Sequence, residues 1–71
     1  MAAVLTLNYM GTDSWNRPVY RDQHGRFWKD VDLGSRATPS LYSSSKFEGE
    51  PGYPLNAEYV ITKRYERGKT Q

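Results

Sequence analysis

The 71-residue sequence predicts a mainly β, all-β protein: a small antiparallel meander of four or five strands, able to curl into a partly closed barrel. Three observations predict it. Apolar and polar residues alternate with period two in several short segments, glycine, proline and short polar residues punctuate the gaps, and no apolar pattern of period 3.6 runs long enough for a firm helix. Such a chain makes one domain over residues 1–71, with 66–71 expected as a flexible tail.

The first segment is Leu5-Thr-Leu-Asn-Tyr9, in which Leu5, Leu7 and Tyr9 point one way and Thr6 and Asn8 the other. Met10 to Ser14 reads as a loop, with a single helical turn over Asp13 to Asn16 capped by Asp13. Pro18 can open a strand but has no N–H for a central ladder, so Val19-Tyr20-Arg21 forms strand two behind it. Asp22-Gln23-His24-Gly25 has Asp first and Gly last, the pattern of a type I turn whose glycine takes a positive φ.

Strand three is expected over Arg26 to Leu33, with Phe27, Val31 and Leu33 on the apolar face and Trp28, Asp30 and Asp32 on the other. Lys29 falls on the apolar face and is expected near an edge, its stem buried and its amine in water. Leu41-Tyr42-Ser43 reads as a short strand, and Glu50-Pro51-Gly52-Tyr53 fits a type II turn. Glu58 to Tyr65 is β-rich. A helix across Asn56 to Arg67 competes there, but Tyr-Val-Ile-Thr loses rotamer freedom in a helix, which favours a strand. The predicted core is Leu5, Leu7, Val19, Phe27, Val31, Leu33, Leu41, Tyr59 and Ile61. No internal repeat is apparent. So thin a sheet needs support from curling, from an ordered Phe47–Pro54 loop across it, or from dimerisation.

Composition narrows the function. The sequence has no cysteine and one histidine, so disulfides and thiol nucleophiles are excluded, a tight zinc site is improbable, and no cofactor is expected. Its longest apolar run, Ala2 to Leu5, is far short of the ~20 residues a membrane span needs, and no signal-peptide pattern is visible; a cytoplasmic location is expected. The formal charge is +2, with four of the ten basic residues between Lys63 and Lys69. His24 belongs to an exposed turn with nothing to tune it, and Asp30 and Asp32 read as a solvated face. The protein is therefore expected to bind rather than catalyse.

Two binding surfaces compete. Trp28 with Tyr20, Arg21 and Arg26, joined by the basic segment containing Lys63, Arg64 and Arg67, would make an aromatic-basic platform for single-stranded nucleic acid. Packing of Trp28 into a core is the structural alternative. Trp15 and Arg17 before Pro18 pair a tryptophan with a stacking arginine. The ring then either covers the sheet or stands exposed as an anchor for another protein.

The order Tyr-Met-Gly-x-Asp-Ser-Trp-x-Arg-Pro-Val-Tyr (Tyr9 to Tyr20), Gly-Arg-Phe-Trp-Lys-Asp-Val-Asp (Gly25 to Asp32) and Phe-Glu-Gly-Glu-Pro (Phe47 to Pro51) resembles a group of small bacterial proteins from mobile elements. These are conjugative transposons and phages of gut Firmicutes, and small domains of large phage-type polyproteins. The resemblance runs from Leu7 to Leu55 and implies a cytoplasmic accessory protein that binds a partner. It brings no catalytic residue. The leading expectation is a non-enzymatic module contacting another protein, with single-stranded nucleic-acid binding as the alternative and a homodimer as a further arrangement.

Overall fold

The computed structural model describes residues 4–33 and 38–63. Among these residues five strands form one open sheet: β1 (Leu5–Thr12), β2 (Pro18–Arg21), β3 (Phe27–Asp30), β4 (Leu41–Ser44) and β5 (Tyr59–Lys63). Their order across the sheet is β4-β3-β2-β1-β5. The first four strands make the antiparallel meander expected from the alternation. The last strand does not continue it. The chain crosses from one edge to the other, and β5 pairs parallel to β1, with Leu5 beside Tyr59 and Leu7 beside Ile61. The sheet is therefore mixed and does not close into a barrel.

Two faces follow from the register. On the core face lie Leu7, Tyr20, Trp28 and Leu41, all buried, with Leu5, Tyr9, Leu55, Tyr59 and Ile61 packed against them. Tyr9 meets Tyr20 edge-on across β1 and β2, their ring centroids 5.9 Å apart, the offset geometry that the ring quadrupoles favour. The opposite face carries the row Val19, Lys29 and Tyr42. Strand alternation had separated Phe27 from Trp28 correctly and chosen the wrong one for the core. Phe27 is half-buried on the opposite face, where it meets Phe47 edge-on at 6.1 Å between centroids.

The reason lies in the segment between β4 and β5. Phe47 packs over the opposite face, against Phe27 and close to Gly11. The chain then turns back along the outer edge of β4. Gly52 donates its N–H to Ser43, Ser43 donates to Tyr53, and Leu55 donates to Leu41. Leu55 finally packs on the core face. One segment therefore covers both faces and caps an edge, relieving the exposure of a strand with unpaired N–H and C=O groups. A type II turn over Glu50–Tyr53 does not form: Gly52 lacks the positive φ it needs, and the Tyr53 N–H that would close the turn donates to Ser43 Oγ.

Strand three also ends early. Val31 and Leu33, expected in the core, are 36% and 47% exposed. Asp30 is buried and stops the strand: its Oδ1 accepts the N–H groups of Asp32 and Ser40, and Leu33 donates its N–H to the Asp30 carbonyl. Leu33 consequently takes a φ of 58°. Asp30 is thus no part of a solvated face. In β1, a register shift between Tyr9 and Gly11 forms a bulge, and Gly11 takes a φ of 138° there. A side chain at Gly11 would also meet the Phe47 ring at 3.4 Å. The proposed tail, residues 66–71, lies outside the described residues.

Candidate functional site

The loop Asp13-Ser-Trp-Asn-Arg17 joins β1 to β2, and its geometry starts from one carboxylate. Asp13 Oδ1 accepts the N–H groups of Trp15 and Arg17, each at 2.9 Å. Asn16 donates its N–H to the Asp13 carbonyl and adopts a φ of 67°. This is an aspartate-capped turn closed by a residue in the left-handed region, which Asn tolerates better than most side chains. It replaces the single helical turn expected at these residues.

Asp13 Oδ2 faces the other way, onto the sheet. It accepts Arg17 Nε at 2.9 Å and Lys29 Nζ at 2.8 Å. The side chains of Lys29 and Asp13 are both fully shielded from water. Lys29 is therefore neither at an edge nor snorkelling: it sits in an interior strand, and its ammonium also donates to the Gly49 carbonyl at 2.5 Å. A buried ammonium is tolerated when an opposite charge and further acceptors replace water. Burial tends to raise the Asp13 pKa, but donation from Lys29, Arg17 and Trp15 outweighs it and holds the carboxyl at about 2.

The loop is tied from outside as well. Glu48 Oε1 accepts both the N–H and the hydroxyl of Ser14, at 3.0 and 2.8 Å. Those two bonds hold the Glu48 pKa below the usual carboxylate range. Trp15 stands on this frame, 65% exposed, with the Arg17 guanidinium 5.7 Å from its ring centroid. The network thus holds the backbone and the arginine rigid while leaving the indole in solvent.

The next loop repeats the device. In Asp22-Gln-His-Gly-Arg26, Asp22 Oδ1 accepts the N–H groups of His24 and Arg26, and Gly25 takes a φ of 89°. Here the second oxygen accepts the indole N–H of Trp28 at 3.0 Å. Burial pushes the Asp22 pKa up, yet the Trp28 bond and the two backbone donors bring it below normal. The turn and its positive-φ glycine agree with the sequence expectation. The two loops share the spacing Asp-x-x-(Asn or Gly)-Arg, the local signal by which the first turn could have been found. What could not be seen is that the second oxygen binds a cation in one loop and the core tryptophan in the other.

The expected surface residues do not form one surface. Tyr20 and Trp28 are 4% and 9% exposed and belong to the core, so the stacking platform lacks both its aromatics. Its arginines remain outside. Arg21 lies over the Phe27 ring at 5.7 Å, and Arg26 lines a shallow groove of about 360 Å³ with His24, Ser44 and Ser45. Both are at the β2–β3 end of the sheet, opposite the end that carries Trp15 and Arg17. Lys63 is exposed at the end of β5. Arg64 and Arg67 lie outside the described residues. Among the described residues, no group of three His, Asp or Glu side chains is placed to hold a metal ion, and no helix is long and apolar enough to cross a membrane.

The fold and this site define a small mixed β-sheet domain that presents a single tryptophan on a charge-stapled hairpin. Comparison with protein-family models, curated proteins and solved structures finds no match to this chain.

Proposed function

We propose that the protein is a non-enzymatic binding module that contacts another protein through Trp15 at the tip of the β1–β2 hairpin. The observation that carries this is an indole 65% exposed on a loop whose carboxylate is locked to a fully buried lysine. A tryptophan so exposed contributes little to folding where it stands. Inserted into a partner's pocket, it offers one of the largest contributions of any side chain. Its frame is already ordered, so little conformational entropy would be lost on binding. Arg17 lies beside the ring but is largely buried and already paired with Asp13, so the indole itself is the contact. The motif resemblance to small mobile-element proteins agrees with an accessory role in the cytoplasm.

Trp15→Ala tests the proposal. The variant should fold as the parent does, judged by far-UV circular dichroism and melting temperature, and lose binding to a purified partner by ten- to a hundredfold. A Tyr53→Ala control, removing another exposed ring, should bind normally. Unchanged partner binding by Trp15→Ala would overturn the proposal. Single-stranded DNA or RNA that quenches Trp15 fluorescence at low salt, with an effect lost as salt rises, would favour the nucleic-acid alternative instead.

A further inference from the structure

The two edges of the sheet are treated differently. The outer edge of β4 is capped by Gly52, Tyr53 and Leu55 of the same chain. Among the described residues, β5 is hydrogen-bonded only on its inner side, to β1. Leu5 donates its N–H to the Glu58 carbonyl, so Glu58 and Val60 direct their peptide groups toward β1. Alternation then directs those of Tyr59 and Ile61 outward, as a ready ladder for another strand.

Edges are commonly blocked by a lysine or a bulge, and β5 has both, arranged in an unusual way. The register passes from Leu7 beside Ile61 to Asn8 beside Lys63, so Thr62 is the bulged residue, its hydroxyl donating to the Leu7 carbonyl. Without the bulge, Glu58 and Lys63 would lie on opposite faces. With it, Lys63 joins the face of Asn8, Thr6 and Val60, which by alternation is also that of Glu58. Glu58, Val60 and Lys63 are all exposed, and neither charge has an ion pair with another described residue.

We infer that β5 pairs antiparallel with β5 of a second copy of this chain, extending the sheet across a two-fold axis normal to it. Such an axis keeps equivalent faces on the same side. Pairing centred on Val60, with Val60 opposite Val60 and Tyr59 opposite Ile61, then brings Glu58 of one copy beside Lys63 of the other, twice, with the exposed Val60 side chains between. The charge pattern is self-complementary only for an antiparallel partner of the same sequence. That complementarity, rather than a bare edge, selects a second copy. An edge-to-edge contact is smaller than a standard stable interface, so the dimer is weak and concentration-dependent. The inference is independent of the role proposed for Trp15.

Sedimentation equilibrium from about 10 μM to about 1 mM tests it, across the range of weak association. The average mass should rise from one chain toward two. Glu58→Lys and Lys63→Glu should each weaken dimerisation by about tenfold, as like charges meet across the seam. The double exchange, Glu58→Lys with Lys63→Glu, should restore it. Both residues are exposed, so each variant should keep the parental circular dichroism. Trp15→Ala should leave association unchanged. A chain that stays monomeric throughout, single exchanges without effect, a double exchange that fails to restore pairing, or loss of association in Trp15→Ala would each overturn the inference.

Discussion

Lys29 Nζ lies 2.8 Å from Asp13 Oδ2, with both side chains fully shielded from water, 16 residues apart in sequence. The pair bridges β3 and the β1–β2 loop, and through Gly49 and Glu48 it reaches the segment that covers the sheet. Removing Lys29 leaves the Asp13 carboxylate paired with Arg17, whereas removing Asp13 strands the Lys29 ammonium out of water. Asp13→Asn is therefore expected to destabilise the fold by about 3–5 kcal/mol, a large share of the total for a chain this small. The double variant Lys29→Met, Asp13→Asn should recover part of the loss. Urea denaturation of the three proteins reads both effects.

Acid should loosen the same network. The folded Asp13 carboxyl titrates at about 2 against an ordinary 3.8. A depressed folded pKa contributes stability that is complete above the ordinary value and disappears as pH falls toward the folded one. The contribution is about 2 kcal/mol, lost between roughly pH 4 and pH 2. Asp22 is shifted in the same direction and acts in the same acid region. Melting temperature followed from pH 5 downward should fall steeply in the parent and less steeply in Lys29→Met, Asp13→Asn.

The two tryptophans should behave oppositely. Trp28→Ala empties the core and leaves Asp22 Oδ2 without its indole donor; a cost of about 3–5 kcal/mol is expected. Trp15→Ala should change stability by less than about 1 kcal/mol, because the ring is mostly in solvent. Acrylamide should quench Trp28→Phe, which keeps only Trp15, far more than Trp15→Phe.

Leu33 offers a gain in stability. Its φ of 58° places a large side chain in a region that glycine enters freely, and nearly half of that side chain is exposed. Leu33→Gly is expected to stabilise the protein by up to about 1 kcal/mol. The gain would appear as a higher urea midpoint, and a lower midpoint would show that Leu33 is held by packing.

Gly49 should accept no substitution. A Cβ there would stand 2.8 Å from Ser44 Oγ and 3.0 Å from Lys46 Cγ. Ser44 is buried and donates its hydroxyl to the Lys46 carbonyl. Gly49→Ala is expected to cost about 1–3 kcal/mol, and less in a Lys29→Met background, where the carbonyl of Gly49 no longer holds an ammonium. Chemical denaturation of the double-mutant cycle measures that coupling.

Some of this was legible from residues alone. Period-two alternation and the turn signals between segments placed four or five strands, and Asp22-Gln-His-Gly announced its turn because local hydrogen bonding and a glycine φ decide it. Alternation also separated Trp28 from Phe27. It could not rank the two faces, because both strand faces carry large side chains and the choice depends on what covers each. Lys29 was misplaced for the same reason: its partner, Asp13, is far along the chain, and a solvated lysine is the usual outcome of a lone cation in a strand. Trp15 was recognised as either anchor or cover, a choice that only its surroundings settle.

Residues within a few positions of one another sufficed for the β class, for the meander of the first four strands and for the Asp22 turn, because each rests on local alternation or a local hydrogen bond. Tertiary structure alone decided that β5 lies parallel to β1, that Trp28 is core and Trp15 is surface, and that Lys29 is buried. Each of those outcomes depends on the segment from Ser45 to Glu58, which wraps the sheet from one face to the other. Its path is set by long-range burial and hydrogen-bond satisfaction, and neither leaves a periodic mark in the chain.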